Sequence, residues 1–493
     1  MERKTCEVLI LGGGATGLAT ALRLRELDPE RAVLVVDQAA LGRSGELATG
    51  TDRLAPLPVD DEAKKTLDGR WGGDGLVDEL DGLPEFVRGL GLRCGPRLDD
   101  YTLRLHGEAF KPRLAAAAAG SGAEPLEGCF VTDLLRRDDR VVGALCFHLR
   151  LEVFIVLEAP LTVLCLGPAA GLYGSGLCGA PHRRPANPFN AGAAWSLAHD
   201  AGATLIELDQ RHLPVVLAET GAPVEPLLDL GLPLRGAGEG ALADDEAELR
   251  RLLLELEAGA GPLLADSGGL DGEGRRELRR RYLERHPAAV LGWPPQENGG
   301  VPRLLELGLA PPRLDGGMSV AGIAVRADGS TGVPGLYAAG ACVGGRAGKG
   351  LAGCLAEGRR LGAALADLRP PPPAERPQPD DEELTLALRR AVAPLERLTR
   401  IGDGVTPAEF DQRLRQLMDR YVGGAAAGFR LDETRLELAK AELAALGGEA
   451  DLLLAANHLE LADAQRSLQR LATARLLVDH LSALKPSALE KTS

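Results

Sequence analysis

Apolar positions fall into two rhythms along this 493-residue chain. Val8-Leu9-Ile10-Leu11 is an unbroken aliphatic run, which predicts a strand buried on both faces. It passes through Gly12-Gly13-Gly14-Ala15-Thr16-Gly17 into Leu18–Leu27, whose spacing predicts a helix. Ala32-Val33-Leu34-Val35-Val36 is a second buried run and stops at Asp37. Residues 76–92 carry a helical, amphipathic period. Phe130–Leu135 and Val141–Phe147 flank Asp138-Asp139 and predict a β-hairpin. Val153–Leu157 and Leu161–Leu166 continue the strand pattern, and the second run ends at Gly167-Pro168. The stretch 190–310 is mixed, with Leu/Glu/Arg-rich helices predicted at 243–258 and 274–285. A strand and the helix Gly353–Leu368 follow within 320–368. Pro370–Pro373 opens a stiff, solvated linker. Helical spacing then returns at 381–397, 407–421, 431–446 and 451–484.

The first strand–glycine–helix–strand unit has a physical logic. Gly12 allows a tight turn off the strand, Gly14 lets backbone approach a pyrophosphate, and Gly17 lets the helix pack close to the sheet. The helix N-terminus offers free N–H groups to phosphate, and Asp37 is placed to accept ribose hydroxyls. The competing reading is a glycine-rich turn in some other α/β domain. An acid at this position favours free ribose hydroxyls, as in FAD or NAD, over NADP.

Composition narrows the partners. A formal charge of −15, from 56 basic and 71 acidic residues, argues against nucleic acid or an anionic membrane surface. No segment is long and apolar enough to insert in a bilayer, and no apolar signal precedes the first strand. The eight cysteines form no CxxC pair, so no metal site or iron–sulfur framework is expected within the chain. The expectation is a cytoplasmic protein.

Five further segments carry a family resemblance. They are Arg43-Ser44-Gly45, His106-Gly107-Glu108-Ala109-Phe110-Lys111-Pro112, Arg211-His212-Leu213-Pro214, Val333–Gly345 with Gly350–Gly358, and Gln416–Gly424. Taken in order, these resemble the flavoproteins of the succinate dehydrogenase/fumarate reductase superfamily, with the closest look to adenylylsulfate reductase alpha subunits. The resemblance implies an α/β fold: a split Rossmann-like FAD domain, parallel sheet plus β-hairpin layer, with an inserted α+β capping domain and a C-terminal helical domain. The expected divisions are 1–189 and 320–369 for the FAD domain, 190–319 for the cap, 370–380 for the linker and 381–493 for the helices. The resemblance assigns to the cofactor Gly12, Gly14, Ala15, Thr16, Gly17, Asp37, Gln38, Arg43, Ser44, Gly45, Val131, Gly167, Gly340, Ala341, Gly350 and Leu351. It also implies a small anionic substrate and electron exchange with an iron–sulfur partner subunit.

Departures from the family pattern bear on mechanism. No histidine stands in Ser44-Gly45-Glu46, so FAD is expected to be non-covalent. Ala341 replaces an acid suited to the ribityl chain, and the family's substrate histidine falls near Gly317-Met318-Ser319. The terminal arginine-rich element is not visible after Leu484. Arg211, His212 and Arg346 remain as catalytic candidates: a guanidinium fork for an anion, an imidazole for proton transfer, and a cation beside reduced flavin. The competing readings are a surface Arg-His pair and a solvated basic loop. His182-Arg183-Arg184 could contact a phosphate, and the competing reading is a solvated loop. The expected activity is an FAD-dependent oxidoreductase. Its rivals are an oxidase resembling L-aspartate oxidase and an FAD-binding subunit that has lost catalysis.

Overall fold

The computed structural model describes residues 1–174, 187, 189–236, 245–256, 262–294, 300–372, 375–401 and 404–485. His182–Arg184 lie outside the described residues.

The two glycine motifs meet in one sheet. Strand β1 (Val8–Leu11) leads into helix α1 (Ala15–Leu27) and strand β2 (Val33–Asp37). Three later strands join them: β3 (Glu124–Glu127), β4 (Leu161–Leu164) and β5 (Leu336–Ala338). The order is β5-β4-β1-β2-β3, and every pairing is parallel. Leu161 is in register with Val8, and Thr162 with Leu336, so a strand more than three hundred residues downstream completes the nucleotide-type sheet.

The unbroken apolar runs follow from cover on both faces. Val8, Ile10, Val33 and Val35 pack toward α1 and helix α2 (Gly350–Asp367). Leu9, Leu11, Leu34 and Val36 face the layer that holds the hairpin Cys129–Arg137/Arg140–His148. The hairpin turns at Asp138, in the left-handed region at φ 55°, as its Asp-Asp sequence predicted. Helices α1 and α2 approach closely because α2 carries glycine where the backbones meet: a Cβ on Gly358 or Gly362 would lie 2.6 Å from the carbonyl of Thr16 or Thr20.

The inserted region has its own four-stranded antiparallel sheet and a separate core around Leu217, Leu253, Leu278, Tyr282 and Trp293. Its predicted helices form at Glu246–Leu256 and Gly272–Arg285. Among the described residues four helices follow the proline-rich stretch: 381–401, 407–421, 433–449 and α3 (His458–Ala483).

Three segments differ from the sequence pattern. The single helix predicted over 76–92 is a 3₁₀ turn, Leu76–Leu80, and a short helix, Leu83–Gly89, because Gly82 and Pro84 restart the chain. The helix predicted from 451 starts at His458, where the Asn457 side chain accepts from the N–H groups of Leu459 and Glu460. The proline-rich stretch is pinned rather than only solvated: Arg376 reaches Glu7 at 3.1 Å and the Pro371 carbonyl at 3.1 Å.

Candidate dinucleotide site

Each glycine of the first turn answers a different constraint. Gly12 sits at φ 105°, and a Cβ there would lie 2.3 Å from the Cys165 carbonyl oxygen. A Cβ on Gly17 would lie 2.0 Å from the Gly12 carbonyl oxygen, so the helix could not sit this close to β1. Gly14 is different. Its φ of −68° suits any residue, and a Cβ there would meet nothing nearer than the Cys165 carbonyl oxygen at 4.0 Å among the described residues. The space before Gly14 is open. Helix α1 starts there with no side-chain cap on its N–H groups and no acid in its first turn. Unsatisfied donors, the positive end of the helix dipole and room for a ligand make this end fit a phosphate.

Asp37 stands beside that turn at the end of β2. Its Oδ2 accepts from the Gly13 N–H at 3.0 Å and its Oδ1 from the Ala39 N–H at 2.9 Å. Burial pushes its carboxyl pKa up, while the Ala39 N–H, the Lys111 ammonium and the Gly13 N–H oppose the shift. Lys111 is fully buried and donates through Nζ to the Gly13 carbonyl, and burial pulls its pKa down to about 8. A buried lysine thus supports the turn from beneath. The Ser44 hydroxyl approaches Asp37 without completing a hydrogen bond. Arg43 is exposed, and nothing lies within 4 Å of a Cβ on Gly45, at φ 78°. Helix α3 closes this side: Arg466 donates to Gln38 Oε1 at 3.0 Å, and Gln469 to the Val131 carbonyl at 3.0 Å.

The opposite wall is the turn after β5. Gly167 and Gly340, at φ 77° and 86°, end the two neighbouring strands. A Cβ on Gly340 would lie 2.3 Å from Thr16 Oγ1, which sets the late turn directly against the start of α1. The polar groups of this turn are bonded to one another. Lys349 is fully buried; its ammonium donates to Glu357 at 2.9 and 3.0 Å and to the carbonyls of Val343 and Gly340 at 2.9 and 3.1 Å. Glu357 also accepts from the Gly340 N–H at 2.8 Å and from Arg346 at 2.9 Å. Arg346 pairs in addition with Asp74. Gly350, at φ 52°, donates to the Gly317 carbonyl at 2.8 Å, and Leu351 is half-buried just inside α2.

The two altered positions are neighbours. The Gly316 N–H donates to the Ala341 carbonyl at 2.9 Å, and a Cβ on Gly317 would lie 3.4 Å from that of Ala341. Met318 is exposed beside them. Where the family has an acid and a histidine, this chain presents a methyl and a thioether.

Arg211 and His212 are buried. Arg211 donates to the carbonyls of Val422, Gly423 and Phe429 at 3.0, 2.7 and 3.3 Å, fastening the inserted region to the helical one. His212 exchanges backbone hydrogen bonds with Arg313 at 2.8 and 2.9 Å. Burial, and then the Arg313 and Arg250 guanidiniums, hold its imidazole pKa well below the ordinary value, so it is neutral at pH 7.

The structure draws attention to Glu46, which the sequence motif did not single out. Its Oε1 accepts from the Asn187 N–H at 3.1 Å and Asn190 Nδ2 at 3.3 Å, and surrounding protein pushes its carboxyl pKa up against the pull of Arg313. It keeps an exposed face. Arg313 in turn pairs with buried Asp315 at 2.9 Å. No apolar rhythm could have flagged Lys111, Lys349, Glu357 or Glu46. All four lie within or beside segments of the family resemblance.

Fold and site together define a split α/β protein with a crevice whose geometry fits a dinucleotide. Its architecture is that of the fumarate reductase, succinate dehydrogenase and adenylylsulfate reductase flavoproteins. Adenylylsulfate reductase from Archaeoglobus fulgidus superposes with a TM-score of 0.87 at 23% identity, over 100% of this chain and 90% of that one. Escherichia coli quinol fumarate reductase gives 0.77 at 15% identity, over 98% and 90%. In sequence, the chain is 25% identical over 265 residues to the adenylylsulfate reductase alpha subunit of Megalodesulfovibrio gigas. That match spans 44% of this chain and 40% of the relative, less than half of either. No protein-family model matches the chain. The resemblance carried by the motifs is borne out, and the relatives are reductases.

Proposed function

We propose that this chain binds FAD non-covalently and works as an oxidoreductase on a small anionic substrate, exchanging electrons with an iron–sulfur partner subunit in the cytoplasm. The carrying observation is the open, uncapped start of α1, faced by Gly340 and flanked by Asp37. Gly14 and the first-turn N–H groups would hold the pyrophosphate, and Asp37 the adenosine ribose. Arg43, Ser44 and Gly45 would border the flavin, where open space at Gly45 supports close approach. FAD, when bound, supplies the redox chemistry; the chain supplies position and charge. Loop 43–46 lacks a histidine, which supports non-covalent attachment.

The test is the visible spectrum of purified protein, followed by anaerobic titration with dicarboxylates, amino acids and sulfur nucleotides. Flavin bands that bleach with one of these compounds support the reading. Acid precipitation should release the flavin. A colourless protein that takes up no added FAD ends the reading.

A second reading has its own observation. Met318 and Ala341 adjoin, and the guanidiniums of Arg211 and Arg346 hold backbone carbonyls or carboxylates. These features support an FAD-binding subunit that has lost turnover and serves assembly or regulation. Flavin that binds tightly yet is bleached by none of the candidate compounds selects it. Hydrogen peroxide release by the purified chain alone would instead select an oxidase.

A further inference from the structure

A second concavity lies at the other end of the sheet. It opens at the amino ends of β4 and β5, has a volume of about 410 Å³, and is lined by Arg140, Arg326, Arg369, Tyr337, Pro334 and Pro371 among others. Ligands of open α/β sheets sit at the carboxyl ends, so this cleft is not the dinucleotide crevice. The four residues of β4 separate the two by roughly 13 Å.

Its three arginines differ from many in this molecule. Several guanidiniums meet carboxylates, as Arg313 with Asp315 at 2.9 Å, Arg346 with Glu357 at 2.9 Å and Arg136 with Glu383 at 3.0 Å, and others, such as buried Arg211, are taken up by backbone carbonyls. In the cleft, Arg326 reaches the Ser330 hydroxyl at 3.4 Å, and Arg369 the carbonyls of Ala366 and Leu368 at 2.8 and 3.3 Å. Among the described residues none of Arg140, Arg326 or Arg369 closes an ion pair with a carboxylate, although Asp328 feels the Arg326 guanidinium and Asp28 that of Arg369 from farther off. Asp328, the acid at this rim, turns Oδ1 to the Ser330 N–H and hydroxyl at 3.0 and 2.7 Å. Gly335 lets the wall close in, since a Cβ there would lie 2.3 Å from the Val141 carbonyl oxygen. The floor between the charges is apolar: a tyrosine ring and prolines.

We propose that this cleft binds an aryl or heteroaryl phosphate ester, with the arginines on the dianion and the flat ring on Tyr337 and the prolines. Guanidinium forks match phosphate oxygens, and three of them suit a dianion better than a single carboxylate. The volume falls within the range of small-molecule sites. The site stands apart from the FAD reading and does not depend on it.

The experiment is calorimetric titration of the full chain with phenyl phosphate, repeated with saturating FAD so that the crevice is excluded. Inorganic phosphate and phenol are titrated in parallel. Phenyl phosphate should bind more tightly than either, and binding should weaken with added salt. Arg140→Ala, Arg326→Ala and Arg369→Ala together should weaken it by at least about tenfold while thermal stability stays unchanged, since exposed charges contribute little to folding. If the triple variant fails to fold, Arg326→Gln alone should still weaken binding by roughly threefold. Undiminished binding in the variants, equal affinity for inorganic phosphate, or no heat at millimolar phenyl phosphate would overturn the proposal.

Discussion

The two walls of the crevice use their polar groups in opposite ways. On the phosphate-loop side, α1 begins with uncapped N–H groups and open space at Gly14. On the late-turn side, Lys349, Glu357, Arg346 and Asp74 are bonded into a closed chain of charges. The first wall has donors left for a ligand. The second has used its charges to hold its own backbone, with Glu357 and Lys349 gripping the N–H and carbonyl of Gly340. A site of this kind separates two tasks. Holding a dinucleotide needs unsatisfied groups, whereas keeping a distant strand in register needs satisfied ones.

Breaking the closed wall should have the largest effect. Glu357→Leu would leave the fully buried Lys349 ammonium without its carboxylate, and removing one partner of a buried pair costs about 4 kcal/mol. Urea unfolding of the ligand-free chain measures this. A loss under about 1 kcal/mol would mean the network is not what fixes the late turn.

The open wall should respond the other way. Gly14→Ala is compatible with the local φ of −68° and meets no neighbour, so folding stability should stay within about 1 kcal/mol. FAD affinity should fall on the order of 100-fold, about 2.7 kcal/mol, because the methyl enters the phosphate's space. Gly12→Ala is the contrasting variant. It collides with the Cys165 carbonyl at φ 105° and should destabilise the fold by roughly 1–3 kcal/mol. Equal behaviour of the two variants in both assays would erase the distinction between ligand space and packing.

What the sequence revealed divides along the same line. The buried strands were legible because a sheet covered on both faces needs unbroken aliphatic runs, as in Val8–Leu11 and Val33–Val36. Gly12 and Gly17 were legible because turn and packing leave few residue choices, and Gly14 because the motif reserves its space for a phosphate. Pairing of β5 with β4 followed from the motif resemblance, as no local pattern specifies a neighbour so far away. The ionic network was not legible. Lysine and glutamate ordinarily mark solvent, and only the tertiary fold shows that Lys349 and Lys111 lie inside. Arg211 and Arg346 carried the right chemistry for an anion in sequence; their partners depend on where distant segments come to rest.

His212 sharpens the comparison through pH, with a smaller effect. Its folded pKa lies below the ordinary value of 6.5, owing to burial and the facing Arg313 and Arg250. Below pH 6.5 the unfolded chain therefore binds a proton that the folded chain refuses. Stability due to this group is complete above that pH and declines as pH falls toward the folded pKa, by up to about 1.4 kcal/mol per pH unit. Asp37 and Glu46, whose carboxyl pKa values are raised, act in the opposite sense, so the informative quantity is the difference between two proteins. Unfolding free energies of the parent and of His212→Leu, measured between pH 5 and 7, should diverge: the parent loses more stability on acidification. Parallel curves would mean that the imidazole takes up its proton as readily in the fold as outside it. It would then be an ordinary exchangeable acid, and its burial beside Arg313 and Arg250 would not hold it neutral.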